Sequence, residues 1–150
     1  MNTAEARALA YLASHRVVTL ATHGDEGPWA AAVFYLNIGF DLVFLSSAKS
    51  RHALNLAANP AAAGTVQEDY EDWREIKGVQ LEGMVKLLQG DDAARAWALY
   101  GEKFPVARPG GDGPGSIAAA LDRVSWYRLE AKRAYFVDNV AGFGHRDQVL

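Results

Sequence analysis

The chain has 150 residues, half of them hydrophobic, which fits a single domain spanning the whole length. Its 15 Lys and Arg against 18 Asp and Glu give a formal charge of −3, which argues against a nucleic-acid partner or a general anionic-membrane binder. There is no cysteine, so disulfides and thiolate metal sites are excluded, and no apolar run approaches the ~20 residues that span a bilayer. Residues 1–13 match a secretory signal poorly, so we expect a cytoplasmic protein.

The first third of the chain predicts a short helix followed by strands. Thr3 is a candidate cap for a helix from Ala4 to about Ser14, and strand-forming residues begin at Val17. Gly24–Gly27 predicts a turn into Trp29–Leu36, which is apolar on both alternating faces. We therefore expect this strand to be covered on both sides, by the core and by a helix, a partner subunit or a cofactor ring.

The rest of the chain adds further strands with scattered short helices. In chain order we predict strand Leu42–Leu45, helix Ala48–Ala58 ended by Asn59-Pro60, strands Ala61–Gln67 and Ile76–Leu87, a helix capped by Asp91 or Asp92, a mobile loop Arg108–Ser116, and closing strands Val124–Leu129 and Ala134–Val137. This order predicts a mainly β fold with flanking helices, a barrel rather than a doubly wound sheet.

The most informative segment for chemistry is Phe44–Leu56. A strand ends in the hydroxyls of Ser46-Ser47, and Lys49, Ser50 and Arg51 fall in the first turn of the predicted helix. Cations at a helix N-terminus are unfavourable by roughly 0.3–1 kcal/mol each, whereas a bound phosphate would turn hydroxyls, N–H groups and basic side chains into ligands for one anion. The alternative is that both cations point into water and Ser47 is an ordinary helix cap.

Other motifs point less clearly to a site. Gly110–Gly115 lacks the Lys-Ser/Thr ending of a phosphate loop, and Glu68–Asp72 lacks EF-hand spacing, so both are interpreted as loops. The four histidines are widely separated and predict no metal site, and only His52, beside Arg51, is connected with the predicted site. No G-x-S-x-G elbow is present, so catalytic residues are not assigned. Among the tryptophans, Trp29 stands out because it begins the strand with two apolar faces.

Taken together, three segments resemble the FMN-binding split barrels related to pyridoxamine 5′-phosphate oxidase. They are ATHGDEGPWAAAVFYLN, LVFLSSAKSRHALNLAANPAAAG and IKGVQLEGMVKLL. The later stretches KFPVAR and VDNVAGFGHR resemble a narrower bacterial subgroup, the YhbP-like proteins. The resemblance runs from about Val17 to Arg146 and implies a six-stranded antiparallel split barrel that forms a homodimer, with two FMN sites at the subunit interface.

The resemblance also implies which residues bind the cofactor. Ala31, Ala32, Val33 and Phe34 would line the flavin ring, and Ser46 and Ser47 would lie near the ribityl chain or phosphate. Ser50, Arg51 and His52 match the family's phosphate cluster, with Lys49 in the same turn, and Lys77 and Gly78 occupy the family's Arg-Gln position, with Gln80 close by. Residues from Asn139 to Gly144, including Phe143, would come from the partner subunit.

The chain departs from the oxidases at several of their functional positions. The Arg and Lys that the oxidases carry on the strand matching Trp29–Leu36 are Ala or Leu here, and the Gln of the Arg-Gln pair is Gly78. Gly144-His145-Arg146 does not reproduce the Arg-x-His substrate signature near the C-terminus. These departures argue against pyridoxamine phosphate as substrate, and they keep a deazaflavin and haem as alternatives to FMN.

Three functions follow as hypotheses. The first is an FMN-dependent oxidoreductase with an unknown substrate, in which Lys77 or backbone N–H groups near the ring would stabilise the reduced flavin. The second is a non-catalytic carrier or sensor that binds flavin, haem or deazaflavin. The third is an interaction protein whose dimer alone matters.

Overall fold

The computed structural model describes residues 3–108 and 123–150, and within these ranges the chain forms three α-helices and seven β-strands. The helices are α1 (Thr3–Ser14), α2 (Arg51–Ala58) and α3 (Gly90–Lys103). The strands are β1 (Val17–Gly24), β2 (Gly27–Ile38), β3 (Asp41–Ser46), β4 (Ala61–Gln67), β5 (Lys77–Leu88), β6 (Ser125–Asp138) and β7 (Arg146–Gln148). Most of the predicted loop 108–116, with its segment Gly110–Gly115, lies outside the described residues.

Six strands close into an antiparallel barrel, which confirms the predicted fold class. The order is β3-β2-β1-β4-β5-β6, and β3 pairs back onto β6 to complete the ring, while β7 adds to the other end of β6. Asp41 fastens this closure, because its carboxylate accepts hydrogen bonds from Arg128 Nε (2.9 Å) and from the backbone N–H of Ala131 (2.9 Å).

Strand β6 is one continuous strand, so the prediction of two separate closing strands was wrong. Glu82 pairs with Arg133 and Gly83 with Ala131, which leaves Lys132 as the extra residue of a β-bulge. A Cβ at Gly83 would lie 2.0 Å from the Glu130 carbonyl oxygen, so a glycine is required opposite the bulge. Residues 130–133, which separate the two predicted strands, therefore belong to β6 and continue its pairing with β5.

Helices α1 and α2 cover opposite ends of the barrel and share its main core. Each contributes two residues to that core: Ala8 and Leu12 from α1, Ala53 and Leu56 from α2. At the end covered by α1, Tyr11 donates a hydrogen bond to the Lys77 carbonyl at the start of β5 (3.2 Å). At the end covered by α2, Asn55 donates to Thr22 Oγ1, beside the β1–β2 hairpin (3.1 Å). We call these the α1 end and the α2 end.

Strand β2 is covered on both faces only over part of its length. Tyr35 is fully buried in the core on the inner face. On the outer face, the ring of Phe34 packs 5.4 Å from that of Phe104, which directly follows α3, whereas Ala30 and Ala32 stay exposed. The expected helix cover therefore exists at one end of the strand, and the other end leaves a surface of small apolar residues.

Two helices begin at other residues than the sequence predicted. Helix α2 begins at Arg51 rather than Ala48, because Ser50 caps it by accepting a hydrogen bond from the Ala53 N–H (3.3 Å). Helix α3 begins at Gly90 with Gln89 as the N-cap residue, which places both predicted caps, Asp91 and Asp92, inside its first turn.

No helix within the described ranges is long and apolar enough to cross a membrane.

Candidate functional site

The turn between β3 and α2 gathers the predicted hydroxyls and His52 into one hydrogen-bonded cluster. Ser46 Oγ lies 2.6 Å from His52 Nε2 and 3.1 Å from Ser50 Oγ. Ser50 Oγ in turn donates to the Ser47 carbonyl (2.8 Å). Ser46 is buried, and burial lowers the pKa of His52, so its ring is neutral at pH 7. We call Ser46–His52 the phosphate turn.

The cations of the phosphate turn are arranged differently from the sequence prediction. Lys49 precedes the N-cap residue Ser50 and is exposed, so only Arg51 stands in the first turn of α2. The backbone N–H of Lys49 donates to Ser47 Oγ (3.2 Å), so Ser47 stabilises the turn before the helix, and Ser50 caps the helix itself. Only one cation, Arg51, therefore lies in the first turn of the helix, where a positive charge is unfavourable.

Arg51 reaches away from the phosphate turn to the β1–β2 hairpin. Its guanidinium carbon lies 4.2 Å above the centre of the Trp29 ring, and Nη2 donates to the Glu26 carbonyl (3.4 Å). Nε is 3.9 Å from the Glu26 carboxylate, too far for a hydrogen bond. Among the described residues, Arg51 Nε is the buried side-chain polar atom that lacks a hydrogen-bond partner. A buried donor left in this state costs about 1–3 kcal/mol.

A groove runs along the outer surface of β1, β4, β5 and β6. It consists of two adjoining cavities of about 500 and 540 Å³ that share Ala21, Ala63, Glu82 and Arg133. The register places Ala32, Thr19, Thr65, Gln80 and Tyr135 side by side across neighbouring strands on this same face. The predicted site residues Ala32 and Gln80 therefore belong to one surface. We call it the outer groove.

Two arginines, Lys132 and the carboxylate of Glu82 provide the charge of the outer groove. Arg146 from β7 stacks 4.6 Å from the centre of the Tyr135 ring, and its Nη1 lies 3.5 Å from Gln80 Oε1. Arg133 forms an ion pair with Glu82. Arg133, Tyr135 and Arg146 were not predicted from the sequence. The alternation of Arg133 and Tyr135 on β6, opposite Glu82 and Gln80 on β5, is a signal for the first two, whereas Arg146 has no such signal.

The β1–β2 hairpin joins the outer groove to the phosphate turn. His23 and Pro28 line the second cavity of the groove, and the same hairpin supplies Glu26 and Trp29, which hold Arg51. The hairpin thus contacts both the groove and Arg51.

Not every predicted site residue faces this region. Ala31 pairs with the core residue Leu20, and Val33 packs against the core, so both face the barrel interior. Lys77 lies at the α1 end, where it lines a separate cavity of about 540 Å³ with Tyr11 and other residues.

The predicted partner-contributed segment also lies at the α1 end within one chain. The Asn139 side chain donates to the Trp73 carbonyl (2.7 Å) and accepts from the Gly144 N–H (3.1 Å), so it holds its own loop. Phe143 is 84% exposed and meets the Trp73 ring edge-on at 5.5 Å. A single chain does not bring Asn139 or Phe143 to the phosphate turn, and their role there stays a prediction that requires a second copy.

The described residues form no cluster of three or more His, Asp or Glu side chains placed to hold a metal ion. In the acidic stretch, Asp72 pairs with Arg74 at 2.6 Å, which is the arrangement of a solvated loop.

Comparison with known proteins gives one family and several similar chains. A family model described as "Pyridoxamine 5'-phosphate oxidase" matches residues 3–138. The UPF0306 protein YhbP of Escherichia coli (strain SMS-3-5 / SECEC) is 32% identical over 138 residues, covering 91% of this chain and 86% of that protein.

Two solved structures with the same fold are described as a haem-binding protein and a haem-storage protein. The heme binding protein from Mycobacterium smegmatis superimposes with a TM-score of 0.71 at 30% identity, over 97% of this chain and 56% of that one. This chain thus spans little more than half the length of the mycobacterial protein. HutZ, the heme storage protein from Vibrio cholerae, has a TM-score of 0.68 at 20% identity over 86% of this chain and 90% of its own, a likeness of fold.

Proposed function

Because the chain belongs to the pyridoxamine 5′-phosphate oxidase family, we propose that it binds FMN and acts as an FMN-dependent oxidoreductase. The observation that carries the proposal is the phosphate turn, where two hydroxyls lie at the N-terminus of α2 and Arg51 is the first residue of that helix. Helix N-termini and guanidinium groups are the usual ligands of a phosphate group. The family match includes both this turn and most of the outer groove.

The residues present fit FMN at both ends of the molecule. Arg51 Nε lacks an acceptor, and a phosphate oxygen is the acceptor that the guanidinium recognises best. Ala21, Ala63 and Gly64 give the groove a floor of small residues against which a flat ring can lie. FMN, when bound, supplies hydride or electron transfer, and the protein supplies binding, orientation and electrostatic tuning.

The test is an equilibrium titration of the purified protein with FMN, followed by quenching of flavin fluorescence. We expect micromolar binding, and we expect Arg51→Ala to weaken it about 10- to 100-fold, the value of a charge-assisted phosphate contact. Arg74→Ala is the matched control, because it removes one exposed positive charge at the α1 end and should leave the affinity unchanged. Absence of binding, or equal affinities of wild type and Arg51→Ala, would contradict the proposal.

Turnover separates an oxidoreductase from a flavin carrier. If the chain is an enzyme, NADH or NADPH will reduce the bound flavin under anaerobic conditions, and an added acceptor will reoxidise it over many cycles. A flavin that stays bound and is not reduced would favour the carrier or sensor.

Haem binding is the second candidate, and the 30% identity to the mycobacterial heme binding protein favours it. His23, which is exposed and lines the outer groove, is the residue of this surface that would serve as an iron ligand. A Soret band on addition of haemin, abolished in His23→Ala, would support this function. FMN binding with no Soret shift would exclude it.

We also propose a homodimer that covers the outer face of β2. Val17 and Phe34 are register neighbours on this face and are 43% and 54% exposed, beside the exposed Ala30 and Ala32. An apolar face of this kind is typical of an isologous interface. Sedimentation equilibrium should give a dimer for wild type and a folded monomer for Ala32→Arg. A wild-type monomer at micromolar concentration would overturn the proposal.

A further inference from the structure

The hydrogen bonds of the phosphate turn have a defined direction. Ser50 Oγ accepts from the Ala53 N–H and donates its single proton to the Ser47 carbonyl. The contact between Ser50 Oγ and Ser46 Oγ (3.1 Å) must therefore use the proton of Ser46. His52 Nε2, 2.6 Å from Ser46 Oγ, then has to be the donor in that contact. One chain of donors, from His52 to Ser46 to Ser50 to the Ser47 carbonyl, satisfies the contacts at 2.6, 3.1 and 2.8 Å. The longer approach of Ser46 Oγ to the Ser47 carbonyl (3.5 Å) is left without a proton, because Ser46 has only one to donate.

This direction leaves the second nitrogen of His52 available for a proton. When Nε2 carries a hydrogen, the neutral ring has its lone pair on Nδ1, and within the described parts of the chain Nδ1 makes no hydrogen bond. Protonation at Nδ1 therefore adds a positive charge beside the capping Ser50 without breaking the chain of donors. The phosphate turn can thus change its charge and keep its geometry.

We propose that the phosphate turn binds an anion together with a proton on His52, so that its affinity for phosphate groups rises as the pH falls. The proposal rests on the phosphate site proposed above and adds a regulator to it. An anion raises the pKa that burial has lowered, so the ring takes up a proton on binding. Affinity then increases as the pH falls through the pKa of the bound state, and it levels off below that of the free state.

The charged groups around His52 are exposed or held by other residues, so the group that takes up the proton is the His52 ring itself. On its own segment these are Lys49, which is exposed, and Arg51, which is held by Trp29 and Glu26. Glu26 and Asp25 are the acidic groups of the hairpin: Glu26 is engaged with Arg51, and Asp25 is exposed. On β6, Ser125 pairs with Ser46, and Arg123 lies two residues before it and is exposed. Burial, rather than a neighbouring charge, is the cause of the lowered pKa of His52.

The test compares wild type with His52→Gln between pH 5.5 and 8. Gln keeps a donor near Ser46 but does not titrate, so the ratio of the two affinities at each pH cancels the titration of the ligand itself. The probes are FMN and inorganic sulfate, which stays a dianion throughout this range. We expect similar affinities at pH 8 and about a tenfold advantage of wild type at pH 5.5, because only the wild-type ring can gain a positive charge when the anion binds.

A second readout is the imidazole resonance of His52 in NMR titrations with and without 50 mM sulfate (a concentration of about this size saturates weak anion sites). We expect sulfate to raise the pKa of His52. FMN binding with parallel pH curves for wild type and His52→Gln would overturn the inference and leave the proposed function standing. A shift of the His52 pKa by sulfate in a protein that does not bind FMN would support the inference and overturn the proposed function. No shift of the His52 resonance with either anion would overturn the inference.

Discussion

The two covered ends of the barrel use their polar groups in opposite ways. At the α1 end the polar groups satisfy one another: Arg7 pairs with Asp138, the hydroxyls of Tyr11 and Tyr70 are 2.9 Å apart, and His15 contacts Glu68 at 2.7 Å. At the α2 end, Arg51 Nε is buried without a hydrogen-bond partner among the described residues. A buried donor in this state calls for an explanation, and the proposed phosphate ligand supplies one, so under that proposal the α1 end is structural and the α2 end binds the ligand.

The two ends should respond differently to mutation. Changes at the α1 end should lower the free energy of unfolding and leave FMN affinity unaltered. Changes around Arg51 should alter FMN affinity and leave the free energy of unfolding nearly unchanged. Three substitutions test it.

Leu12→Ala at the α1 end should have the largest effect. Leu12 is fully buried in the core, and removal of its side chain leaves a cavity that typically costs about 2–5 kcal/mol. Urea denaturation should show this loss, while FMN affinity of the folded protein stays within a factor of two of wild type. Leu54→Ala on α2 is the control, because that side chain is 59% exposed and its removal should change stability by less than about 0.5 kcal/mol.

Arg7→Ala should lower stability by about 1–3 kcal/mol at pH 7, because it removes a charged hydrogen-bond partner of the buried Asp138. Burial raises the pKa of Asp138, but the hydrogen bonds from Arg7 and from the Val140 N–H, together with the charges of Arg7 and Lys77, outweigh it and hold the pKa below its ordinary value. A depressed pKa stabilises the fold above the unfolded-state value of about 4 and loses this effect as the pH falls through the folded-state value. Urea denaturation from pH 7 to 2.5 should therefore show the difference between the two proteins shrinking. A difference that is constant with pH would contradict the prediction.

Glu26→Gln should have the smallest effect, and it should raise FMN affinity rather than lower it. The Glu26 carboxylate is 82% exposed and competes with a ligand phosphate for Arg51, so its loss should improve binding by up to about threefold. Asp25→Asn is the control, because it removes one negative charge next to Glu26 without touching the Arg51 contact. It should change FMN affinity only by the small, salt-screened effect of one surface charge. Equal gains in both variants would show that Arg51 is not the group being released.

The alternation of apolar residues and the turn residues were enough to predict the barrel and most of its strands. The β1–β2 hairpin and β4 follow from local pattern alone. Strand β6 was misjudged because Glu130, Lys132 and Arg133 break the alternation, and the bulge that absorbs Lys132 depends on β5 as a partner. Strand β7 was missed because three polar residues carry no strand signal of their own.

The candidate site was predictable where its residues are close in sequence. Ser46, Ser50 and His52 come together within one turn, so a local pattern located them. The contacts of Arg51 with Glu26 and Trp29, and those of Arg146 with Tyr135, join residues from different strands. No single segment contains that information, because it depends on the register of the closed barrel.

The closure of the barrel at Asp41 bears on the order in which the protein folds. Asp41 and Arg128 are 87 positions apart in sequence, so their pairing carries a large loop-closure entropy and belongs among the slow events of folding. The phosphate turn begins at Ser46, the last residue of the strand that this pairing joins to β6. The turn is therefore completed only when the ring closes, and a phosphate ligand will select closed molecules over open ones. On this basis FMN added during refolding should raise the yield of closed barrel without speeding the early formation of the hairpins.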